Sequence, residues 1–114
     1  MIVFLTMAVA LSAPTTKVKS PTATFLTGAS LMNGVCNGSY DAACAALAAG
    51  FYDGDSVARL TLGGSQLMCP PPKVSPLDLG HAVTMWLQKN PDKQNWAAAP
   101  IVLRALIEAY PCPQ

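Results

Sequence analysis

Charge is scarce in this sequence. Charged side chains make up 11% of the 114 residues, and seven Lys and Arg against six Asp and Glu leave a net charge of +1. A charge this small, without a basic stripe, excludes a protein that binds nucleic acid electrostatically. The apolar fraction of 52% excludes a disordered chain, which needs low hydrophobicity and high charge. The length suits one domain, and its surplus of apolar groups predicts a partner or a dimer.

The residue sets that catalysis requires are also missing. The one histidine, His81, stands between Gly80 and Ala82 beside an apolar stripe, and a single histidine is weak evidence for a base. Asp53-Gly54-Asp55 resembles the opening of a calcium loop, but the closing Glu of such a loop is absent. We therefore predict no catalytic residues, no metal site and no cofactor, and a protein that acts by binding rather than as an enzyme.

No apolar run in the sequence is long enough to span a bilayer as a helix. Residues 1–13, MIVFLTMAVALSA, are a short apolar segment ending in small residues, which is typical of a secretory signal peptide. A first core helix, or a segment retained as an anchor, is the alternative. Residues 14–24 are rich in Pro, Thr, Ser and Lys and predict a flexible linker. We expect residues 25–114 to form the folded domain of an exported protein, without stable membrane insertion after signal removal.

Four cysteines are present: Cys36, Cys44, Cys69 and Cys112. An even number in a short, exported chain predicts two disulfides, and chain geometry favours Cys36–Cys44 and Cys69–Cys112 among the three possible pairings. Loop-closure entropy predicts that Cys36–Cys44 stabilises the fold by about 2.5 kcal/mol and Cys69–Cys112 by about 4 kcal/mol. A zinc site is a weaker alternative because no C-x-x-C occurs. Unpaired structural cysteines are the third option if the chain is not exported.

Apolar spacing predicts helices and no strands. Thr27 is expected to cap a short helix over residues 28–35, and Ser39 or Asp41 a longer one with a kink or early stop at Gly50 or Gly54. The longer helix is expected to bury one face, made of Cys44, Leu47, Ala48, Phe51 and Val57 or Ala58.

Two further helices follow a loop over residues 63–74. Ser75, Pro76 and Asp78 mark the start of the third helix, and Asn90-Pro91 its end. Asn95 is expected to cap the fourth, with an inner face of Val102, Leu103, Leu106 and Tyr110. The predicted fold class is all-α, a small bundle of about four helices cross-linked by two disulfides.

The order of these motifs resembles the periplasmic immunity proteins of the Tai/Rap type, which protect bacteria from type VI secretion peptidoglycan amidase effectors. The resemblance covers roughly residues 25–113. The family pattern opens with T/S-G-x-x-L followed by a cysteine, and closes with an aromatic-Pro-Cys ending. This chain matches it at Thr27-Gly28, Leu31, Cys36, Cys44, Gly50, Cys69-Pro70-Pro71, Val83, Trp86-Leu87, Pro91-Asp92, Ala105-Leu106 and Ala109-Tyr110-Pro111-Cys112.

The resemblance implies an all-α bundle, a homodimer and a periplasmic inhibitor, whose surface loop occludes the cleft of an effector amidase. In this sequence the best candidate for that loop is residues 64–68, because Leu67 and Met68 are apolar and lie beside Cys69. An ordinary connector folded back on the core is the equal alternative. The candidate partner-binding residues are Ser65, Gln66, Leu67, Met68 and Trp96. A small chaperone-like or structural binding protein is the alternative function.

Overall fold

The computed structural model describes residues 25–38 and 41–113. A first helical segment consists of α1 (Gly28–Ser30), continued by a single π-helical turn over Leu31–Val35. The longer helices are α2 (Asp41–Leu62), α3 (Pro76–Lys89) and α4 (Ala98–Ala109), with a 3-10 turn over Pro91–Lys93 before α4. The described ranges contain no strand, so the predicted all-α class is confirmed. The predicted signal peptide, the predicted linker and Ser39 lie outside the described residues.

Helix α3 is the centre of the bundle and packs against both α2 and α4. The core comprises apolar side chains from the π-helical turn, from α2, α3 and α4, and from the loop residue Met68. Its largest fully buried members are Leu31, Met68, Val83, Leu87, Ile101, Val102 and Leu106. Both predicted disulfides, Cys36–Cys44 and Cys69–Cys112, are present and account for all four cysteines. Within the described residues, no helix combines the length and hydropathy that crossing a membrane requires.

Helix α3 begins as its sequence predicts. The Ser75 hydroxyl accepts a hydrogen bond from the Asp78 backbone N–H at 3.3 Å, and the Asp78 carboxylate accepts one from the Ser75 N–H at 2.8 Å. This reciprocal pair satisfies two donors that a helix start otherwise leaves unpaired. The Ser75 hydroxyl also donates to the Asp78 carboxylate at 3.0 Å, and the hydrogen bonds that the Ser75 N–H and hydroxyl donate hold the pKa of Asp78 below its ordinary value.

The start of α4 differs from the prediction that Asn95 caps it. Its N-cap is Ala97, with no side-chain cap hydrogen bond. The distant start of the domain takes over the role, because Ala98 N donates to Leu26 O at 2.9 Å and Gly28 N donates to Trp96 O at 2.8 Å. The backbone of residues 26–28 therefore pairs with this turn and makes a side-chain cap unnecessary.

Helix α2 continues through Gly50 and Gly54 to Leu62, so the predicted early stop does not occur. Its inner face also ends earlier than predicted. Cys44 and Ala48 are buried and Leu47 and Phe51 half-buried, but Val57 is 62% exposed. No residue of α2 after Ala48 is fully buried. We call residues 53–62 the arm, since this part of α2 lies outside the core.

Candidate partner-binding surface

The chain reverses direction at the end of the arm and returns along it. Gly63 has a φ of +75°, which a glycine adopts without strain. Gly64 N then donates to Arg59 O at 2.8 Å, the six-to-one hydrogen bond of a Schellman helix end. This glycine pair ends α2 as predicted and directs the following residues back along the helix.

Side chains of the arm hold the returning loop. The Arg59 guanidinium donates to Asp55 Oδ2 at 2.7 Å and to Ser65 O at 3.3 Å. Gln66 Nε2 donates to Ser56 Oγ at 3.4 Å. The Asp55–Arg59 pair is partly exposed and stabilises the helix by less than about 1 kcal/mol. Its larger effect is positional, because it orients the guanidinium that reaches the Ser65 carbonyl.

The far end of the loop is fixed by Met68 and Cys69. Met68 is only 2% exposed and forms an isolated bridge with Pro111. Cys69 N donates to Tyr110 O at 2.8 Å, and its sulfur is bonded to Cys112. The expectation that Met68 is presented at the surface beside Leu67 is therefore wrong, because bridging to Pro111 turns Met68 into the core. Met68 is an anchor of the loop.

Leu67 is 41% exposed, and Ser65 and Gln66 are exposed beside it. The arm next to the loop carries further exposed apolar side chains, Val57, Leu60 and Leu62, of which Leu60 is 79% exposed. The loop and these arm residues together are the arm surface: Val57, Leu60, Leu62, Ser65, Gln66 and Leu67. Sequence reasoning missed the arm residues because it assigned Val57 to the buried face. The informative signal was that only three charges, Asp53, Asp55 and Arg59, follow Asp41 in α2.

Trp96 lies elsewhere on the bundle. Its ring centroid is 6.5 Å from that of Trp86 in α3, and Lys93 Nζ lies 4.6 Å from its centroid. Lys93 also pairs with Asp92 at 3.1 Å, and this hydrogen bond lowers the pKa of Asp92. The loop contacts α2 and the C-terminal segment, whereas the Trp96 side chain contacts α3 and the turn before α4. The structure therefore does not unite Trp96 with Ser65, Gln66 and Leu67.

A groove of about 580 Å³ lies between α3 and α4. Its lining includes Met85, Trp86 and Tyr110, and Trp86 Nε1 donates to Glu108 Oε2 at 2.8 Å. Partial burial and the charge of Asp78 raise the pKa of Tyr110. His81 lies on the rim of the groove, where it is exposed and its charge helps to lower the pKa of Asp78. In the part of the chain that the structure describes, no three His, Cys, Asp or Glu residues form a metal site.

Comparison with protein families matches residues 27–112 to the Rap1a immunity proteins. The chain belongs to the Rap1a immunity protein family. The match begins at the cap of α1 and ends at the last cysteine, so it includes both disulfides and all four helices. Comparisons with curated proteins and with solved structures gave no match.

Membership in an immunity family gives this Rap1a protein a partner class, an effector protein against which it protects. Immunity proteins of this family are typically non-catalytic. The two disulfides are consistent with an exported protein, because disulfides persist in oxidising compartments.

Proposed function

We propose that this Rap1a protein binds and inhibits a type VI secretion peptidoglycan amidase effector in the periplasm, by placing the arm surface in the active-site cleft of the effector. The observation that carries the proposal is a loop fixed at both ends with apolar side chains facing solvent. Arg59 holds its first half and Met68 with Cys69 its second, while Leu67 remains exposed. The family resemblance supplies the class of target.

The shape of the arm surface suits occlusion. Enzyme active sites are concave and mostly apolar, whereas the arm lies outside the core and presents Leu60, Leu62 and Leu67 to solvent. Fully burying one such leucine contributes about 1.5–3 kcal/mol. Because the loop is already held by hydrogen bonds and a disulfide, little further ordering opposes binding.

The charges on the arm favour a contact that depends on apolar burial. Asp55 and Arg59 neutralise each other at 2.7 Å, which leaves Asp53 as the remaining charge of residues 53–62. Electrostatic steering of a charged partner would need a larger field than this. We therefore expect the affinity of the complex to depend weakly on salt concentration and strongly on the exposed leucines.

Leu67→Glu is expected to abolish inhibition without unfolding the protein, because it places a charge at an apolar contact whose side chain is already exposed to solvent in the free state. The measurement is hydrolysis of peptidoglycan by a type VI secretion amidase effector, titrated with wild-type and variant protein. Circular dichroism checks that the helices remain.

The matched control is Met85→Glu, which places the same charge on an exposed apolar residue lining the α3–α4 groove. Inhibition lost in Met85→Glu and retained in Leu67→Glu would contradict the assignment and move the contact to the groove. An amidase that is unaffected by wild-type protein would contradict the proposed target.

A chaperone-like binding protein is the second candidate, and the exposed leucines of the arm favour it. That function predicts suppressed aggregation of many unfolded proteins and no stoichiometric complex with one hydrolase. The same purified protein distinguishes the two, because a chaperone-like surface tolerates the single charge of Leu67→Glu whereas a shape-specific inhibitor does not.

We also propose export and self-association. Residues 1–13 act as a signal peptide, residues 14–24 as a linker, and the mature domain forms a homodimer. The export proposal is supported by the two disulfides, and dimer formation by the exposed apolar side chains. Native mass spectrometry of protein from the periplasm tests both: the expected species is a dimer of chains lacking residues 1–13. A monomer of full-length chains would contradict both proposals.

A further inference from the structure

The two disulfides differ in their access to solvent. Cys36 and Cys44 are 3% and 2% exposed, and Cys44 Sγ lies 3.5 Å from Gly80 O beneath α3. Cys69 is exposed and Cys112 half-buried. Thiol–disulfide exchange requires a thiolate to reach a sulfur atom. We therefore expect the two disulfides to differ in their rate of reduction.

We propose that Cys69–Cys112 is a redox-sensitive clamp on the arm surface. A dithiol reductant opens this bond while Cys36–Cys44 remains closed and the helices remain folded. Opening releases the loop of residues 64–68 and weakens partner binding. The binding consequence rests on the proposed function, whereas the selective opening does not.

The reaction balances with one dithiol. A thiolate of the reductant attacks the sulfur of Cys69, the more exposed of the two residues, the Cys69–Cys112 bond breaks, and Cys112 leaves as a thiolate that takes up a proton. The second thiol of the reductant then attacks the mixed disulfide and releases Cys69. The protein disulfide is reduced to two thiols, and the dithiol is oxidised to a disulfide.

Local opening follows from where the two cysteines lie. Cys69 is in the irregular chain between α2 and α3, and Cys112 follows the end of α4. Without the covalent clamp, this end of the loop is held by non-covalent contacts that can open locally: the Met68–Pro111 bridge, the Cys69 N–Tyr110 O hydrogen bond and the burial of the Met68 side chain. The core residues Leu31, Ile101 and Leu106 are buried on the helical segments and not in the loop, so the helices can persist while this edge opens.

The test is a titration of the oxidised full-length protein with dithiothreitol, followed by alkylation and peptide mass spectrometry. We expect Cys69 and Cys112 to be alkylated at least about tenfold faster than Cys36 and Cys44. Hydrogen exchange at residues 64–70 should rise at dithiol concentrations that leave the helical circular dichroism unchanged. Simultaneous reduction of both bonds, earlier reduction of Cys36–Cys44, or loss of helicity with the first bond would overturn the proposal.

A variant pair separates the clamp from the proposed function. Cys69→Ser with Cys112→Ser should show raised exchange at residues 64–70 in the absence of reductant, and Cys36→Ser with Cys44→Ser should not. If the oxidised protein fails to inhibit the amidase, the proposed function fails while the order of alkylation still decides the clamp. If it inhibits, and the clamp variant inhibits equally well, the link between loop release and binding is overturned.

Discussion

Gly80→Ala is expected to destabilise the protein by about 1–3 kcal/mol, at the upper end of that range, because α2 and α3 touch through their backbones at this position. A Cβ atom on Gly80 would lie 2.9 Å from Ala45 N and 3.1 Å from Ala45 Cα. Both are backbone atoms of α2, which cannot move aside as a flexible side chain does. Urea unfolding with both disulfides intact measures the change.

Gly54→Ala is the matched control for that experiment. Gly54 is in the interior of the same helix that Gly80 contacts, and a Cβ there would meet nothing within 4 Å. The substitution should therefore stabilise the protein by up to about 1 kcal/mol through helix propensity. Equal effects of the two substitutions would show that close packing at Gly80 does not set the distance between α2 and α3.

Leu106→Ala is expected to lower the free energy of unfolding by about 2–5 kcal/mol, because Leu106 is 1% exposed in the core. Leu60→Ala removes the same atoms from a side chain on the arm and should change stability by less than about 0.5 kcal/mol. The midpoints of denaturant-induced unfolding of the two variants and the wild-type protein measure the difference.

The same two variants test whether the arm contributes to binding without contributing to the stability of the fold. If the arm surface contacts the effector, Leu60→Ala weakens the complex about tenfold or more, which corresponds to about 1.4 kcal/mol. A large loss of stability in Leu60→Ala would mean that the arm is part of the core.

Local sequence signals predicted the elements whose causes are local. Thr27, and Ser75 with Asp78, form the caps that their spacing indicated, and Gly63 ends α2 with a positive φ. The disulfide pairing was also predictable, because Cys36 and Cys44 flank a short turn and the remaining two cysteines must then pair. Such features depend on a few neighbouring residues and on chain geometry.

The features that sequence reasoning missed depend on contacts between distant segments. Asn95 is a residue type that often caps helices, but the backbone of residues 26–28 pairs with that turn instead. Val57 fits an apolar helical face, but its 62% exposure shows that no neighbouring element covers that part of α2. Met68 is apolar in a loop, and its bridge to Pro111 decides that it is buried.

The candidate site was therefore predicted in part. The loop from Ser65 to Leu67 is exposed as expected, while Met68 is in the core and Trp96 packs beside Trp86. The exposed leucines of the arm came only from the structure, because amphipathic spacing assigns an apolar residue to a face but does not show whether a neighbour covers that face.

The backbone pairing of residues 26–29 with residues 94–98 has a consequence for biosynthesis. The hydrogen bonds Ala29 N–Gln94 O, Gly28 N–Trp96 O and Ala98 N–Leu26 O join stretches about seventy positions apart in the chain. A nascent polypeptide that has not yet reached residue 98 lacks the acceptors and donors that dock its own beginning. Docking of the first helical segment therefore waits until residues 94–98 have been synthesised, and a ribosome stalled before α4 leaves that segment undocked.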